Sequence, residues 1–222
     1  MLEIKVLFTI PLFGGIPVSE SVVVTWIIMA IMVLLAIIFV RKLETVPTGK
    51  QNVAEMIVEL IYNMLSGMLG PKGRRYVPYL GTVFLFLIFS NTITGVFGFR
   101  PPTKNLNVTA ALAIISIVLV QFSAIYAKGV KGWLGNFLHP MKGMLPINLM
   151  ELLIRPLSLC MRLFGNILGA FILMEILKSF VPVGIPAVMS LYFDFFDGIL
   201  QAYIFVFLTS IFIGEGLESA HE

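Results

Sequence analysis

Apolar residues divide this chain into five runs long enough to cross a bilayer and one run that is patterned differently. The five runs are residues 21–40, 78–97, 110–126, 146–180 and 187–213. Each reaches or exceeds the lower limit of about 17 residues for a spanning helix. Residues 51–70 instead repeat Val53, Met56, Ile57, Leu60, Ile61 and Met64 at helical spacing, with Glu55 and Glu59 on the other side. That pattern predicts an amphipathic helix lying on a membrane or packed against a partner. The expected fold is all-α, a single membrane domain over residues 1–222 with five transmembrane helices and amphipathic interfacial helices. The last two spans form a long hairpin closed by the turn at residues 181–186, which is rich in Pro and Gly. A continuous helix over 146–180 would be about 52 Å long. The hydrocarbon core is only about 30 Å thick, so this helix is strongly tilted, bent at Pro156, or both.

The segments between the runs orient them. Lys5 and the apolar octet after it faintly resemble a signal peptide, but Pro11, Gly14 and Gly15 interrupt it and no small-residue cleavage site follows. Residues 1–20 are therefore read as a retained external amino terminus. Arg41, Lys42, Lys50, Lys72, Arg74, Arg75, Lys128, Lys131 and Lys142 fall in three loops, which marks those loops as cytoplasmic and the carboxyl terminus with them. Residues 132–145, with Trp133 and His139, read as a short interfacial piece. Gly214-Glu215-Gly216 reads as the end of the last helix.

The fourth run is the most unusual, because it carries Glu151, Arg155, Arg162 and Glu175 in an otherwise apolar stretch. A charged guanidinium at bilayer depth costs about 2.5–3.5 kcal/mol on insertion scales. Arg does not escape by losing its proton. At about 100° per residue, Glu151, Arg155 and Arg162 share a narrow stripe, with Asn166 one turn later. Gly165 and Gly169 form a small-xxx-small pair that admits another backbone. Arg155 and Glu151 read as an i,i+4 pair near the water interface. A snorkelling side chain is the plain alternative for Arg162, but it lies far from either end of the run.

The final run carries Asp194, Asp197 and Gln201. Seven residues separate Asp194 from Gln201, so a regular helix puts them on one face, with Asp197 on the same side. Arg162 and Gln201 lie at nearly equal distances along the chain from Val183, which predicts similar depth in an antiparallel hairpin. Polar groups then approach Arg162 in two sets, Glu175 and Asp194 from outside, Glu151 and Ser158 from inside. For Asp197 a simple interfacial hydrogen bond stays open as an alternative. Ser90 and Asn91 in the second run read as interhelical hydrogen-bond partners.

Composition narrows the classes further. Of 222 residues, 59% are hydrophobic and only 12% charged, which is a membrane composition and not that of a soluble domain. The net charge of +3 comes from membrane-flanking loops, so nucleic acid is not a predicted partner. One cysteine, Cys160, lies within an apolar run and reads as a packing residue. Phosphate-binding glycine loops, paired metal-ligand spacings and nucleophile elbows are missing from the sequence. No cofactor, metal or catalytic residue is expected.

The string Arg155-Pro156-Leu157-Ser158-Leu159-Cys160-Met161-Arg162-Leu163-Phe164-Gly165-Asn166-Ile167-Leu168-Gly169 resembles the signature of subunit a of F-type ATP synthases. Two further stretches are similar to that family: Leu200-Gln201-Ala202-Tyr203-Ile204-Phe205 with Thr209, and Phe99-Arg100-Pro101-Pro102-Thr103 with Asn107 and Thr109. The resemblance implies a non-catalytic stator subunit of the bacterial plasma membrane, or of an organelle derived from one, that carries ions past a rotating ring of c subunits. It implies two aqueous half-channels, Arg162 as the essential arginine, Asn166 and Gln201 flanking it, and Asp194 in the outer channel. The implied partners are the c-ring, the peripheral-stalk subunit b, the assembled ATP synthase and membrane lipid. One departure stands out: several relatives carry a glutamate nine residues after the arginine, where this chain has Phe171 and places Glu175 one turn further on. Protons are the expected ion, with Na⁺ as the alternative. A secondary transporter with its substrate site at a broken helix near Pro156 is the competing reading, although five spans without an inverted repeat count against it. A purely structural assembly protein would leave Arg162 unexplained.

Overall fold

The computed structural model describes residues 6–10, 16–40, 49–97, 101–136, 145–180 and 184–218, and it is built almost wholly from helices. In chain order these are α1 (Glu20–Val40), α2 (Lys50–Gly73), α3 (Val77–Phe97), α4 (Leu106–Asn136), α5 (Leu145–Phe180), α6 (Ile185–Ser190) and α7 (Gly198–Glu218). A π-helical stretch, Leu191–Asp197, joins α6 to α7. Five helical runs are long and apolar enough to cross a membrane. One small element was not anticipated: β1 (Val6–Ile10) pairs antiparallel with β2 (Ile16–Ser19), Phe8 opposite Val18 and Ile10 opposite Ile16. This hairpin precedes α1 and leaves the helical architecture intact.

Two helices are broken internally by glycines of positive φ, where only a residue without a Cβ is unstrained. Gly70 (φ 65°) breaks α2 just before Pro71. Gly129 (φ 70°) breaks α4, and the piece beyond folds back so that Trp133 Nε1 donates to Gln121 Oε1 at 3.0 Å. The short piece expected after the third span therefore begins within α4. Pro156 sits inside α5 without interrupting it, and α7 continues through Gly214-Glu215-Gly216 to Glu218, past its expected stop. Arg41-Lys42, His139, Phe99-Arg100 and most of the turn at 181–183 lie outside the described residues.

Helix α7 is the centre of the bundle. Its Ala202, Phe205, Val206 and Ile213 are buried against Leu65 and Leu69 of α2, Leu80 and Leu87 of α3, and Ile117 and Val120 of α4. Helix α5 packs chiefly on α4, through Leu159, Cys160 and Leu163, and touches α7 only sparingly. Helix α1 stays at the edge and exposes Val33, Leu34, Ile37 and Ile38. The apolar stripe of α2 divides: Ile61 is buried, whereas Val53, Met56, Ile57 and Leu60 stay exposed.

Cross-helix contacts sort the helix ends into two sides. On one side the Arg75 guanidinium lies 4.6 Å from the Tyr126 ring, joining the start of α3 to the late part of α4. Arg155, early in α5, meets Glu215 late in α7 on that same side of the alternating bundle. On the other side, Asn91 of α3 bonds both Thr103 and Gly198, and Lys104 lies over the ring of Phe171.

Candidate functional site

Helix α5 presents two arginines on one stripe in different circumstances. Arg155 is satisfied within the chain. Its Nη2 donates to Glu151 Oε1 at 2.7 Å and forms an ion pair with Glu215 Oε2 at 3.0 Å, and its guanidinium lies 4.7 Å from the ring of Phe212. The i,i+4 pair expected from the sequence is present, and Glu215 and Phe212 extend it. Arg162, two turns further along, is half-buried and has no hydrogen bond or ion pair among the described residues. Around it Ser158, Gly165, Asn166 and Gly169 are exposed. A Cβ built at Gly165 or Gly169 would meet nothing within 4 Å. The opposite flank of α5, with Leu159 and Leu163, is buried on α4. The small and polar face around Arg162 is thus turned away from the bundle and left open.

The polar residues of the last helical run are arranged less regularly than the sequence predicts. Asp197 is half-buried and lies one helical turn before Gln201. Gln201 is 3% exposed, and its Oε1 has no hydrogen-bond partner. Asp194 lies in the π-helical stretch, where the backbone bonds i→i+5 instead of i→i+4. The shared face expected for Asp194 and Gln201 assumes a regular α-helix over 194–201, and the backbone departs from one over Leu191–Asp197.

Arg155 reaches across to Phe212 and Glu215 of α7. Asn166 and Glu175 are exposed on α5, and Glu151 is engaged by Arg155. Phe171 carries Lys104 Nζ at 4.1 Å from its ring centroid.

Three features are not legible in the sequence. Glu215 reads there only as part of a helix stop. Asn91 was anticipated as an interhelical partner, but its partners Thr103 and Gly198 were not. A cavity of about 460 Å³ between α1 and α2, lined by Phe39, Gln51, Val58, Glu59 and Tyr62 among others, contains none of the polar residues of the fourth and fifth runs. No cluster of metal-ligating side chains occurs among the described residues.

An open arginine face on one membrane-spanning helix and a buried glutamine on another are the features to set beside known proteins. A family model described as the ATP synthase A chain matches residues 22–214. The chain belongs to that family. It is also 38% identical over 200 residues to a protein named ATP synthase subunit a from Moorella thermoacetica, a match covering 90% of this chain and 91% of that protein. Within the ATP synthase A chain family match fall the polar residues discussed above, from Asn91 to Gln201, whereas Glu215 lies just beyond it. The two-stranded hairpin before α1 also lies outside the matched region.

Proposed function

We propose that the chain is the ion-conducting stator subunit of an F-type ATP synthase. Its face around Arg162 lies against a rotating ring of c subunits, each bearing a carboxylate that binds the ion. The observation that carries this reading is that Arg162 is charged, sits within a spanning helix, and has no partner among the described residues. A fixed guanidinium in that position calls for a counter-charge from another chain. The exposed Gly165, Asn166 and Gly169 beside it leave room for another helix to come close.

In this mechanism an ion enters by an outer aqueous half-channel containing Glu175, Asp194, Asp197 and Gln201, and loads a ring carboxylate. After rotation it leaves by an inner half-channel near Glu151. Opposite charge at close range lowers a carboxylate pKa by about 1–3 units. Arg162 thus favours the ionised carboxylate, releases the ion, and bars direct passage between the half-channels. The chain itself carries out no covalent chemistry. Protons are the proposed ion. The basic loops orient the carboxyl terminus to the cytoplasm and the amino terminus outside, in a bacterial inner membrane. Subunit b of the peripheral stalk is the proposed second protein partner.

Cross-linking in membranes tests the arrangement. A cysteine at Asn166 or Gly169, in a chain with Cys160→Ser, is expected to cross-link to a small hairpin subunit of the ring, in a complex that copurifies with a nucleotide-binding head. Recovery of the chain alone, with no cross-linked product at either position, would overturn the proposal. The transporter reading draws no support from α5, which is continuous through Pro156 where a broken helix was required.

A further inference from the structure

Three segments far apart in the chain converge on Asn91. Its side chain is buried, at 6% exposure, in the second half of α3. Asn91 Nδ2 donates to the backbone carbonyl of Gly198 at 3.1 Å, and Asn91 Oδ1 accepts from Thr103 Oγ1 at 2.9 Å. Thr103 is fully buried in the 3₁₀ turn Pro102–Lys104, with Pro102 beside it. Each polar atom of the asparagine amide is thereby used on a different element. Gly198 is close enough that a Cβ there would stand 2.7 Å from Asn91 Cβ, a separation that real Cβ atoms do not show. Glycine at 198 is what lets the asparagine reach the backbone.

The position of Gly198 gives this cluster its consequence. Gly198 is the residue at which the π-helical stretch Leu191–Asp197 gives way to α7, and its N–H bonds Phe195 O. π-Helical turns are rare and of short extent, and an α-helical register is the default for such a sequence. A change of register at this point would rotate Asp197 and everything before it relative to Gln201.

We infer that Asn91 and Thr103 form a clamp that fixes the π-to-α junction at Gly198 and so positions Asp197 against Gln201. The inference rests on the ion-path role proposed above for those two side chains. Asn91 and Thr103 are positioning residues: they act on the path through the backbone of Gly198. The titratable groups of the π stretch are Tyr192, Asp194 and Asp197. The elements packed on it bring no Asp, Glu, Lys or Arg from α3 or α6; α7 adds Tyr203, Glu215 and Glu218, and α3 adds Tyr79.

The test uses the assembled ATP synthase with Thr103→Val, which keeps the shape and removes the donor, and with Thr103→Ser, which restores it. Two quantities are read. Amide hydrogen exchange over residues 191–198 should rise about tenfold in Thr103→Val, the factor matching one net buried hydrogen bond, and return toward the original rate in Thr103→Ser. The ion concentration giving half-maximal ATP-driven pumping should shift at least threefold in Thr103→Val, with the maximal hydrolysis rate kept. Unchanged exchange over 191–198 overturns the clamp whatever the chain transports. Raised exchange with an unshifted half-maximal concentration overturns the positioning of the ion path, because the complex then pumps normally with a loosened junction. Gly198→Ala gives a second route: its Cβ displaces Asn91, and it should show the same two changes in complexes that assemble.

Discussion

Arg155 and Glu215 meet across α5 and α7 at 3.0 Å, and this is the firmest tie between two helices that otherwise touch little. The glutamate is about half exposed, so solvent screens the pair and the expected worth is at most about 1 kcal/mol. Arg155→Ala should cost more than Glu215→Gln, because it also loses the bond to Glu151 and the face of Phe212. A double-mutant cycle on the dissociation temperature of the purified complex separates the terms. Strict additivity of Arg155→Ala and Glu215→Ala would show that the contact contributes nothing to joining the helices.

That contact also shows where the sequence stops being informative. Hydropathy predicts five apolar runs, and five helical runs are long and apolar enough to cross a membrane, because lipid demands a continuous apolar run whatever the neighbouring helices do. Arg162, Asn166 and Gln201 were visible for the same reason, as polar residues in the wrong solvent. Partner choice was not visible. Nothing local in Gly214-Glu215-Gly216 shows that Glu215 reaches Arg155, and nothing in the run after Pro186 shows a π-helical stretch. That stretch sits beside a tertiary contact, the approach of Asn91 to Gly198, and periodicity counted on a regular helix passes over it. The common face predicted for Asp194 and Gln201 depends on that regularity.

Asp194 tests how far the altered register matters. Asp194→Asn removes an ionisable group from the outer half of the last span while keeping its size. Coupled ion transport should slow severalfold or more, with the complex still assembled and its ATP hydrolysis intact when uncoupled. Unchanged ATP-driven pumping in vesicles would make Asp194 a hydrogen-bonding residue outside the path.

Helix α2 makes a separate prediction. Val53, Met56, Ile57 and Leu60 are all about half exposed or more, although they belong to the stripe whose other members pack on the core. Lipid or the peripheral stalk is the expected cover for this apolar strip. Ile57→Asp should leave the chain inserted in the membrane, because Ile57 is outside the core, while reducing recovery of the stalk subunit several-fold on affinity purification. Recovery of the stalk at the original level would assign the strip to lipid.

Arg162 carries the most demanding prediction. On the proposed mechanism Arg162→Ala removes the fixed charge that makes each passing ring carboxylate give up its ion, so ATP synthesis and coupled pumping should both be abolished. On the same mechanism it removes the barrier between the half-channels. Passive ion flux through the membrane sector should therefore rise above that of the unmodified complex. Arg162→Lys keeps a cation but loses the planar fork of donors, and a desolvated lysine sheds its proton far more readily than arginine. It should fail at coupling as well, with a smaller leak than the alanine variant. The two measurements, ATP synthesis and passive flux in vesicles holding the same assembled complex, separate loss of the motor from loss of the barrier. Because Arg162 has no hydrogen bond or ion pair among the described residues, its removal breaks no such contact in the bundle, and misfolding is not the expected cause of either effect. Normal coupled synthesis by the assembled alanine variant would overturn the mechanism at its centre.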